Sequence, residues 1–432
     1  MMGASMEVEN RMWDFVIVGG GIAGLAIGEM LQRSGASVLL LEKNETLCGG
    51  ASAEQQGWFH TGALYAALPQ TSFFRALVGN LDDLVDYYSG FPNMNLRIDK
   101  HISTTEREGW FSNRTNFYAY TNWKGVDWRW KIPWAIALNR ARRRMSWFEY
   151  LDSSRSLSRQ MGMGAKPTRY VVHGSSLKVN LEDVAFVLKS RDRVMNTKLI
   201  EEDLLKSFLA SGGMLQTQTS VLAVEEGHVI STSTGKNGRA TWNARHIILA
   251  TGKGTDEFDI NVRVVASPLL VVFPALSDMN FVKMSPRMDD TINHIFHRFD
   301  DLQYSLIGNA VYYDLANYPA DFADHARAQM LELTKKMFRG LDDRPNDLYF
   351  GYKTEVTTSS SLRNYLYHIV DRPNYTLALP GKFSLCFSLA VNVCRHFGIE
   401  PIERVKMAEG KTVSRLVEEP LHYTIAKKLS LR

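Results

Sequence analysis

The chain has 432 residues, of which 45% are hydrophobic, and carries a formal net charge of +4. This length is too great for one simple core and predicts two interleaved domains, and the hydrophobic content excludes a disordered chain. The mild positive charge does not by itself imply a nucleic-acid partner, and none is expected.

The cysteines and the N-terminal residues further narrow the class of protein that the sequence predicts. Cys48, Cys386 and Cys394 have no CxxC spacing, which argues against a disulfide framework, a zinc site and a dithiol reductase. The first twelve residues are polar and acidic and lack the pattern of a signal peptide. No run of 18 apolar residues predicts a membrane-spanning helix. We therefore expect a cytoplasmic protein without a metal.

The N-terminal region has the pattern of a strand, a glycine turn, a helix and a second strand. Residues 14–18 are an apolar run typical of a buried parallel strand. Ile22–Arg33 has helical character, and Val38–Leu41 is a second apolar strand that ends at Glu42. Together these elements predict one βαβ unit.

The turn of this unit contains Gly19, Gly21 and Gly24 in the spacing G-x-G-x-x-G. The first glycine permits the tight turn, the second lets the backbone approach a pyrophosphate, and the third lets the helix pack closely on the sheet. Free N–H groups at the start of the helix favour phosphate binding. Glu42, 18 residues after Gly24, is placed to accept hydrogen bonds from an adenosine ribose. The context favours a dinucleotide site over a glycine-rich surface turn, without choosing between FAD and NAD.

The middle of the chain adds a second helix and more strands. Thr197–Ala210 has helical periodicity and ends at Gly212 and Gly213. Short strands are predicted at 214–217, 221–225, 228–232 and 247–250. Residues 91–163 and 262–349 lack this pattern, and six of the nine tryptophans lie in the first of them. We interpret these two segments as parts of a substrate domain.

A family resemblance distinguishes FAD from NAD. Residues 49–65, GGASAEQQGWFHTGALY, resemble the second flavin-contacting segment of the D-amino-acid-oxidase-like superfamily. In its glycerol-3-phosphate and L-2-hydroxyglutarate dehydrogenases, a small-residue loop is followed by a His, a Gly and an aromatic residue. His60, Gly62 and Tyr65 match that pattern. Backbone donors in such a loop can reach the pyrophosphate and the flavin.

The C-terminal stretch 380–384, PGKFS, resembles the Gly-Lys-(Leu/Phe)-(Thr/Ser) turn of the glycerol-3-phosphate branch. In that branch the turn and the following helix meet the pyrimidine end of the flavin, where a helix N-terminus stabilises negative charge. The aromatic-hydroxylase branch has a Gly-Asp turn instead, so a monooxygenase is disfavoured. The sequence also lacks a second G-x-G-x-x-G, which argues against an NAD(P)H site.

The resemblance implies an α/β fold with a discontinuous Rossmann-type FAD-binding domain and an interleaved α+β substrate domain. The FAD-binding domain would comprise 12–90, 180–262 and 350–432, and the substrate domain 91–179 and 263–349. The residues expected to bind FAD are Gly19, Gly21, Ile22, Ala23, Gly24, Glu42, Lys43, Ala51, Ser52, His60, Gly62, Val221, Thr251, Gly252, Gly381, Lys382, Phe383 and Ser384.

Two residues are candidates for the chemistry, which requires hydride transfer from a substrate carbon and removal of a proton from the adjacent OH or NH. His60 is interpreted as a base or a flavin-contacting residue, with covalent flavin attachment and a purely structural role as alternatives. Arg363 resembles the arginine that holds a substrate carboxylate or phosphate in the glycerol-3-phosphate branch. The chain departs from that pattern because Asn364 follows where the branch has Pro. A surface ion pair is the alternative role for Arg363.

The resemblance implies an FAD-dependent dehydrogenase or oxidase acting on a small anionic hydroxy compound, such as a 2-hydroxy acid or glycerol phosphate. The alternatives are an amino-acid or amine oxidase, and an FAD-containing protein that binds a partner without turnover. A cluster of arginines follows Trp134 and could steer an anionic substrate, touch a membrane surface or form a solvated helix face. Its members are Arg140, Arg142, Arg143, Arg144, Arg155 and Arg159.

Overall fold

The computed structural model describes residues 11–69, 72–98, 102–104, 109–114, 116–121, 126–151, 180, 184–190, 192–233, 239–257, 262–315, 318–356, 366–407 and 413–432. The α-helices in these residues are α1 Ile22–Arg33, α2 Ala51–Glu54, α3 Ser72–Tyr88, α4 Trp128–Leu151, α5 Thr197–Ala210, α6 Phe322–Met337, α7 Cys386–His396 and α8 Leu421–Leu429. Short 3₁₀ helices lie at Ala63–Tyr65, Gly252–Glu257, Met288–Asp290, Phe383–Leu385 and Ser414–Leu416.

The strands follow in chain order. They are β1 Met12–Val18, β2 Val38–Leu41, β3 Trp58–Phe59, β4 Leu96–Ile98, β5 Ile102–Thr104, β6 Asn116–Thr121, β7 Val184–Ser190, β8 Arg193–Val194, β9 Met214–Gln216, β10 Thr219–Glu225, β11 His228–Ser233, β12 Arg239–Leu249, β13 Val262–Val272, β14 Asn280–Met284, β15 Ile292–Phe299, β16 Leu302–Asn309, β17 Tyr313–Asp314, β18 Asn346–Val356, β19 His368–Asp371 and β20 Thr376–Leu379.

The first large sheet contains the N-terminal βαβ unit. Its strand order is β10-β11-β12-β1-β2-β9, with β20 on the end of β12 and β19 beside β20. The pairs β1–β2, β1–β12, β2–β9 and β12–β20 are parallel. These five strands therefore end at one edge of the sheet, where ligands of open α/β sheets bind.

Helices α1, α5 and α7 cover one face of this sheet. Alternate residues of each strand point to opposite faces, so the sheet separates two cores. Ile17 and Leu40 are buried with the helices, whereas Val16 and Leu39 belong to a separate core on the other face. A buried Glu29 carboxylate, 2.7 Å from Arg33 Nε, also accepts a hydrogen bond from Ser207 in α5. This pairing satisfies charges that would otherwise be costly inside the helical layer.

The second large sheet is mostly antiparallel. Its order is β17-β13-β16-β15-β14-β6-β7, with β18 along the other edge of β13, and only β14 and β6 pair in parallel within it. Helix α6 packs on one face, and buried residues of α4 and α8 pack on the other. No helix among the described residues has the length and apolar character needed to cross a bilayer.

The two-part α/β architecture confirms the predicted fold class. The helices Ile22–Arg33 and Thr197–Ala210 and the strand Val38–Leu41 have the predicted bounds. Strand β7, which the predicted boundaries assign to the FAD-binding segments, pairs with β6 in the second sheet. Residues 350–356, likewise assigned to that domain, pair with β13 as part of β18. Strand pairing between distant segments is not a local property, so the sequence pattern did not reveal it.

Two buried histidines on β15 predict a marked sensitivity to acid. Burial lowers the pKa of His294 to about 4 and that of His297 to about 3. His294 bonds to Met279 O and Ser305 Oγ at 2.6 and 2.7 Å, and His297 bonds to Gln56 O at 3.1 Å. Both rings are therefore neutral in the folded protein at pH values where unfolded histidine is protonated.

In the unfolded chain these histidines bind protons near the ordinary pKa of about 6.5. The free energy of unfolding is therefore greatest above that pH. As the pH drops from there toward about 4, it falls by about 1.4 kcal/mol per pH unit for each histidine. Urea-unfolding midpoints measured across this range test the expectation. His297→Gln should give a shallower slope, and His325→Gln, at an exposed position on α6, should leave the slope unchanged. Equal slopes for the wild type and both variants would contradict the assignment of this pH dependence to His297.

Candidate functional site

The carboxyl edge of the first sheet gathers the predicted cofactor residues. Gly19 follows β1, Glu42 follows β2, Thr251 follows β12 by one residue, and Gly381 follows β20 by one residue. All four strands run parallel, so residues far apart in sequence lie at one edge of the sheet. This edge is where the phosphates and the ribose of a dinucleotide bind in such sheets.

The glycine turn requires its glycines for space as well as conformation. Gly19 has a φ of +104°, and a Cβ there would lie 2.6 Å from Ala250 O. A Cβ on Gly24 would lie 2.0 Å from Gly19 O. Gly21, the residue before α1, has no side-chain cap, and Ile22 N donates to Ser52 Oγ at 3.0 Å. No acceptor within the described residues bonds the amide of Ala23, which leaves a first-turn donor for a phosphate.

Glu42 is held by the backbone at the end of β2. Its Oε2 accepts from Gly20 N at 2.7 Å, and its Oε1 accepts from Asn44 N at 2.9 Å. The remaining lone pairs of this carboxylate can accept from ribose hydroxyls. Lys43 is exposed beside it, and Val221 packs against the apolar layer of the same sheet. These residues fit the predicted adenosine end of FAD.

The small-residue loop before His60 lies against the glycine turn. Ala51 and Ser52 begin α2, whose preceding Gly50 has no side-chain cap. Gly62 has a φ of +107°, a backbone conformation that other residues rarely adopt. The contact from Ile22 N to Ser52 Oγ therefore joins the two predicted phosphate-facing segments.

The C-terminal turn, like the segment around His60, has a glycine at positive φ and a helix start without a side-chain cap. Gly381 has a φ of +64°, and the short 3₁₀ helix Phe383–Leu385 leads directly into α7 without a side-chain cap at Lys382. Asn80 in α3 anchors the turn by donating to Ser384 O at 2.8 Å. The Ser384 hydroxyl is buried and has no hydrogen-bond partner within the described residues. An unsatisfied buried hydroxyl fits a turn that is completed by a polar ligand.

His60 lies in a buried polar cluster. Its Nδ1 is 3.4 Å from Asp192 Oδ2, and Asp192 is fully buried. The same carboxylate accepts from Thr61 N at 2.8 Å, from the Thr61 hydroxyl, and from Tyr118 OH at 2.5 Å. His60 Nε2 has no hydrogen-bond partner among the described residues. One ring nitrogen is thus oriented by the protein, and the other remains available.

The charges of this cluster favour a neutral imidazole beside a carboxylate anion. Burial lowers the pKa of His60, and the positive charges of Lys382 and Lys353 lower it further, whereas the hydrogen bond with Asp192 raises it. Burial alone would raise the pKa of Asp192, but hydrogen bonds from His60, Thr61 and Tyr118 outweigh it and lower that pKa. Ionised Asp192 therefore accepts from Nδ1–H, so that Nε2 carries the free lone pair.

Tyr65 connects His60 to the C-terminal turn. Its ring centroid lies 5.8 Å from that of His60 in an edge-on arrangement. Lys382 Nζ lies 5.1 Å from the centroid of the same tyrosine ring. The segment after β3 and the turn after β20, predicted separately from sequence, thus form one site. Trp58 stacks on His60 with centroids 5.9 Å apart and shields it from solvent.

The structure also reveals residues that sequence reasoning missed. Asp192 contacts His60 from 132 residues away, Tyr118 donates to Asp192 from 74 residues away, and neither residue belongs to a motif. A single acid after a strand carries no signal by itself, so no local pattern could have identified Asp192. Arg363 lies outside the described residues, and its predicted substrate-binding role stays a prediction.

Comparisons with known proteins agree with this geometry. Residues 14–363 match the DAO family, described as FAD dependent oxidoreductase. A stretch of 53 residues is 49% identical to a Pseudomonas aeruginosa protein named as a probable FAD-dependent oxidoreductase, covering 12% of this chain and 13% of that protein.

Solved structures share the whole fold. Glycine oxidase from Geobacillus kaustophilus has a TM-score of 0.61 at 14% identity, covering 94% of this chain and 98% of its own. The FAD-bound L-α-glycerophosphate oxidase from Mycoplasma pneumoniae has a TM-score of 0.61 at 14% identity, covering 93% and 97%. The family match extends over most of the chain, and the residues at the sheet edge fit FAD. The protein therefore belongs to the DAO family of FAD-dependent oxidoreductases.

Proposed function

We propose that the enzyme oxidises a small anionic hydroxy compound, such as a 2-hydroxy acid or glycerol phosphate, with FAD as the immediate electron acceptor. The observation that carries this proposal is the neutral His60 ring, oriented by Asp192 and subject to the positive charges of Lys382 and Lys353. A base and nearby positive charge are the two requirements for removing a hydroxyl proton from an anionic substrate.

The roles of the residues follow from this arrangement. Bound FAD supplies the acceptor for the hydride that leaves the substrate carbon. His60 Nε2 takes the proton of the substrate hydroxyl, so that the alcohol becomes a carbonyl. Asp192 stabilises the resulting imidazolium and keeps the ring in the tautomer that presents Nε2. Lys382 and Lys353 attract the carboxylate or phosphate of the substrate, and Trp58 and Tyr65 limit access of water to the ring.

The amino-acid or amine oxidase remains the second candidate, because glycine oxidase and glycerophosphate oxidase share this fold equally. An amine can lose its ammonium proton to solvent before it reacts and then has a lone pair that stabilises the carbon losing hydride, whereas a hydroxyl keeps its proton at neutral pH and needs a base in the site. The buried His60–Asp192 pair supports the hydroxy compound for this reason. Family membership supports an enzyme over a partner-binding protein that only contains FAD.

An anaerobic reduction screen tests the proposal. The purified yellow protein is mixed without oxygen with lactate, 2-hydroxyglutarate, glycerol 3-phosphate and a panel of amino acids, and the loss of visible flavin absorbance is followed. Lactate is paired with propane-1,2-diol, and glycerol 3-phosphate with glycerol, to isolate the anionic group. We expect reduction by an anionic hydroxy compound and not by its uncharged analogue. Reduction by amino acids alone would establish the second candidate instead.

Asp192→Asn should separate the orienting role of the carboxylate from the base itself. Since the Asp192 hydrogen bond and charge raise the pKa of His60, the variant should shift the acid limb of the flavin-reduction profile to lower pH. The rate on the plateau should fall about tenfold or more, because the imidazolium loses its counter-charge. Stopped-flow reduction across the pH range measures both effects. An unchanged acid limb with full activity would show that Asp192 does not act on the base.

A further inference from the structure

Helix α4 has two apolar faces, and only one of them is buried. Trp134, Leu138 and Ala141 point into the core beneath the second sheet, and Trp134 Nε1 donates to Thr121 O at 3.1 Å. Trp128, Ile132 and Ile136 are 74%, 73% and 52% exposed. Their spacing of four residues places them along one side of the helix. We name these three residues the outer face of α4.

Exposed apolar side chains are concentrated here and scattered elsewhere. Trp130, on the same first turns of the helix, is a fourth large apolar residue and is 47% exposed. The other strongly exposed large apolar residues in the described part of the chain occur singly on other segments, namely Met12, Leu68, Leu222, Tyr318, Ile402 and Leu431. Single exposed residues are ordinary, whereas a contiguous apolar stripe marks an interaction surface.

The charges beside the outer face are positive. Arg129 and Lys131 are exposed on its two flanks, and Arg143 is exposed further along the same side. The Arg129 guanidinium lies 5.8 Å from the Trp128 ring centroid. Asp127, the residue before the helix, accepts from Arg129 N at 2.9 Å. Tryptophan and isoleucine flanked by arginine and lysine form the composition of helices that lie in a lipid interface.

We propose that the outer face of α4 docks on the surface of an anionic lipid bilayer, with the helix axis in the headgroup plane. Trp128, Ile132 and Ile136 enter the boundary between headgroups and acyl chains, and Arg129, Lys131 and Arg143 meet the lipid phosphates. Helix α4 also reaches the FAD site, because Arg140 Nη1 donates to Ala67 O at 3.1 Å, directly after the 3₁₀ turn that carries Tyr65. Docking therefore holds at the lipid surface the helix that contacts the segment after Tyr65.

Vesicle binding tests this proposal on the full FAD-loaded chain. Co-sedimentation is measured with vesicles of phosphatidylcholine alone and of phosphatidylcholine mixed with phosphatidylglycerol. We expect binding to the anionic vesicles that weakens with added salt, and much weaker binding to the neutral ones. The triple variant Trp128→Gln, Ile132→Gln, Ile136→Gln should bind at least about a hundredfold more weakly, since each buried apolar side chain contributes about tenfold. Glutamine preserves helix propensity.

The matched control is Leu222→Gln with Ile402→Gln, which removes exposed apolar side chains elsewhere and should bind vesicles like the wild type. Arg129→Gln with Lys131→Gln should lose most of the preference for anionic lipid. Flavin absorbance and melting temperature check that each variant is folded. The proposal is wrong if the wild type binds neither vesicle, or if the triple variant binds as well as the wild type. It is also wrong if light scattering shows a dimer that the triple variant dissociates and no vesicle binding, because a second copy then covers the face.

Discussion

Gly24→Ala is expected to abolish tight FAD binding, whereas Gly28→Ala, four residues along the same helix, should leave the flavin bound. A Cβ at Gly24 would lie 2.0 Å from Gly19 O and 3.2 Å from the Gly19 carbonyl carbon. Both atoms are backbone atoms of the turn that would receive the pyrophosphate, so no side chain can move aside. The helix must tilt or the turn must open, and either change displaces the N–H donors from the phosphates.

The control at Gly28 isolates this contact from general effects of alanine. A Cβ there would lie 3.4 Å from Ile17 Cδ1 and 3.6 Å from Phe208 Cε2, which are flexible side-chain ends near ordinary contact distance. Both variants gain the same helix propensity, about 1 kcal/mol over glycine. A difference between them therefore reports the close approach of the helix to the turn.

The measurement is the flavin content of the purified proteins and the affinity of the apoproteins in reconstitution titrations. We expect Gly24→Ala to lose at least about a hundredfold in affinity, equivalent to about 2.8 kcal/mol. Circular dichroism establishes whether each apoprotein is folded. If folded Gly24→Ala binds FAD as tightly as Gly28→Ala, the glycine turn is not the pyrophosphate site.

Replacement of His60 by alanine should lower the rate of flavin reduction by about 10² to 10⁴, the usual contribution of a positioned base. The buried ring leaves Nε2 unbonded within the described residues and is oriented through Nδ1 by Asp192. Because burial and the two lysines lower its pKa, the base is neutral at physiological pH. Wild-type activity should therefore fall only on the acid side, as His60 becomes protonated.

Stopped-flow reduction with the substrate found in the anaerobic screen measures the loss. FAD content should be retained in His60→Ala, since the glycine turn and Glu42 lie on other segments. His325→Ala, at an exposed position on α6, is the control and should react as the wild type does. Acid precipitation also tests the covalent alternative: flavin that stays with the wild-type protein but is released from His60→Ala would identify His60 as an attachment point. Unchanged reduction in His60→Ala would leave His60 a structural role only.

Local patterns predicted the part of the fold that surrounds the phosphates. The helix Ile22–Arg33 and the strand Val38–Leu41 have the expected bounds, because apolar periodicity and glycine stops act over neighbouring residues. The glycine spacing also predicted that the helix packs closely at Gly24, and the structure places that approach against Gly19 O. The second sheet could not be predicted from local patterns, because β13 pairs with β18 and β6 pairs with β14 across long stretches of chain.

Local sequence patterns predicted a dinucleotide site at the end of a βαβ unit, and the resemblance at separated segments identified that dinucleotide as FAD. The groups around His60, by contrast, come together only in the folded chain. Asp192 lies immediately before β8, Tyr118 lies on β6 of the second sheet, and Lys382 reaches His60 through the ring of Tyr65. Glycine turns and helix starts are encoded by neighbouring residues, whereas a buried carboxylate gains its role from partners that only folding brings within hydrogen-bonding distance.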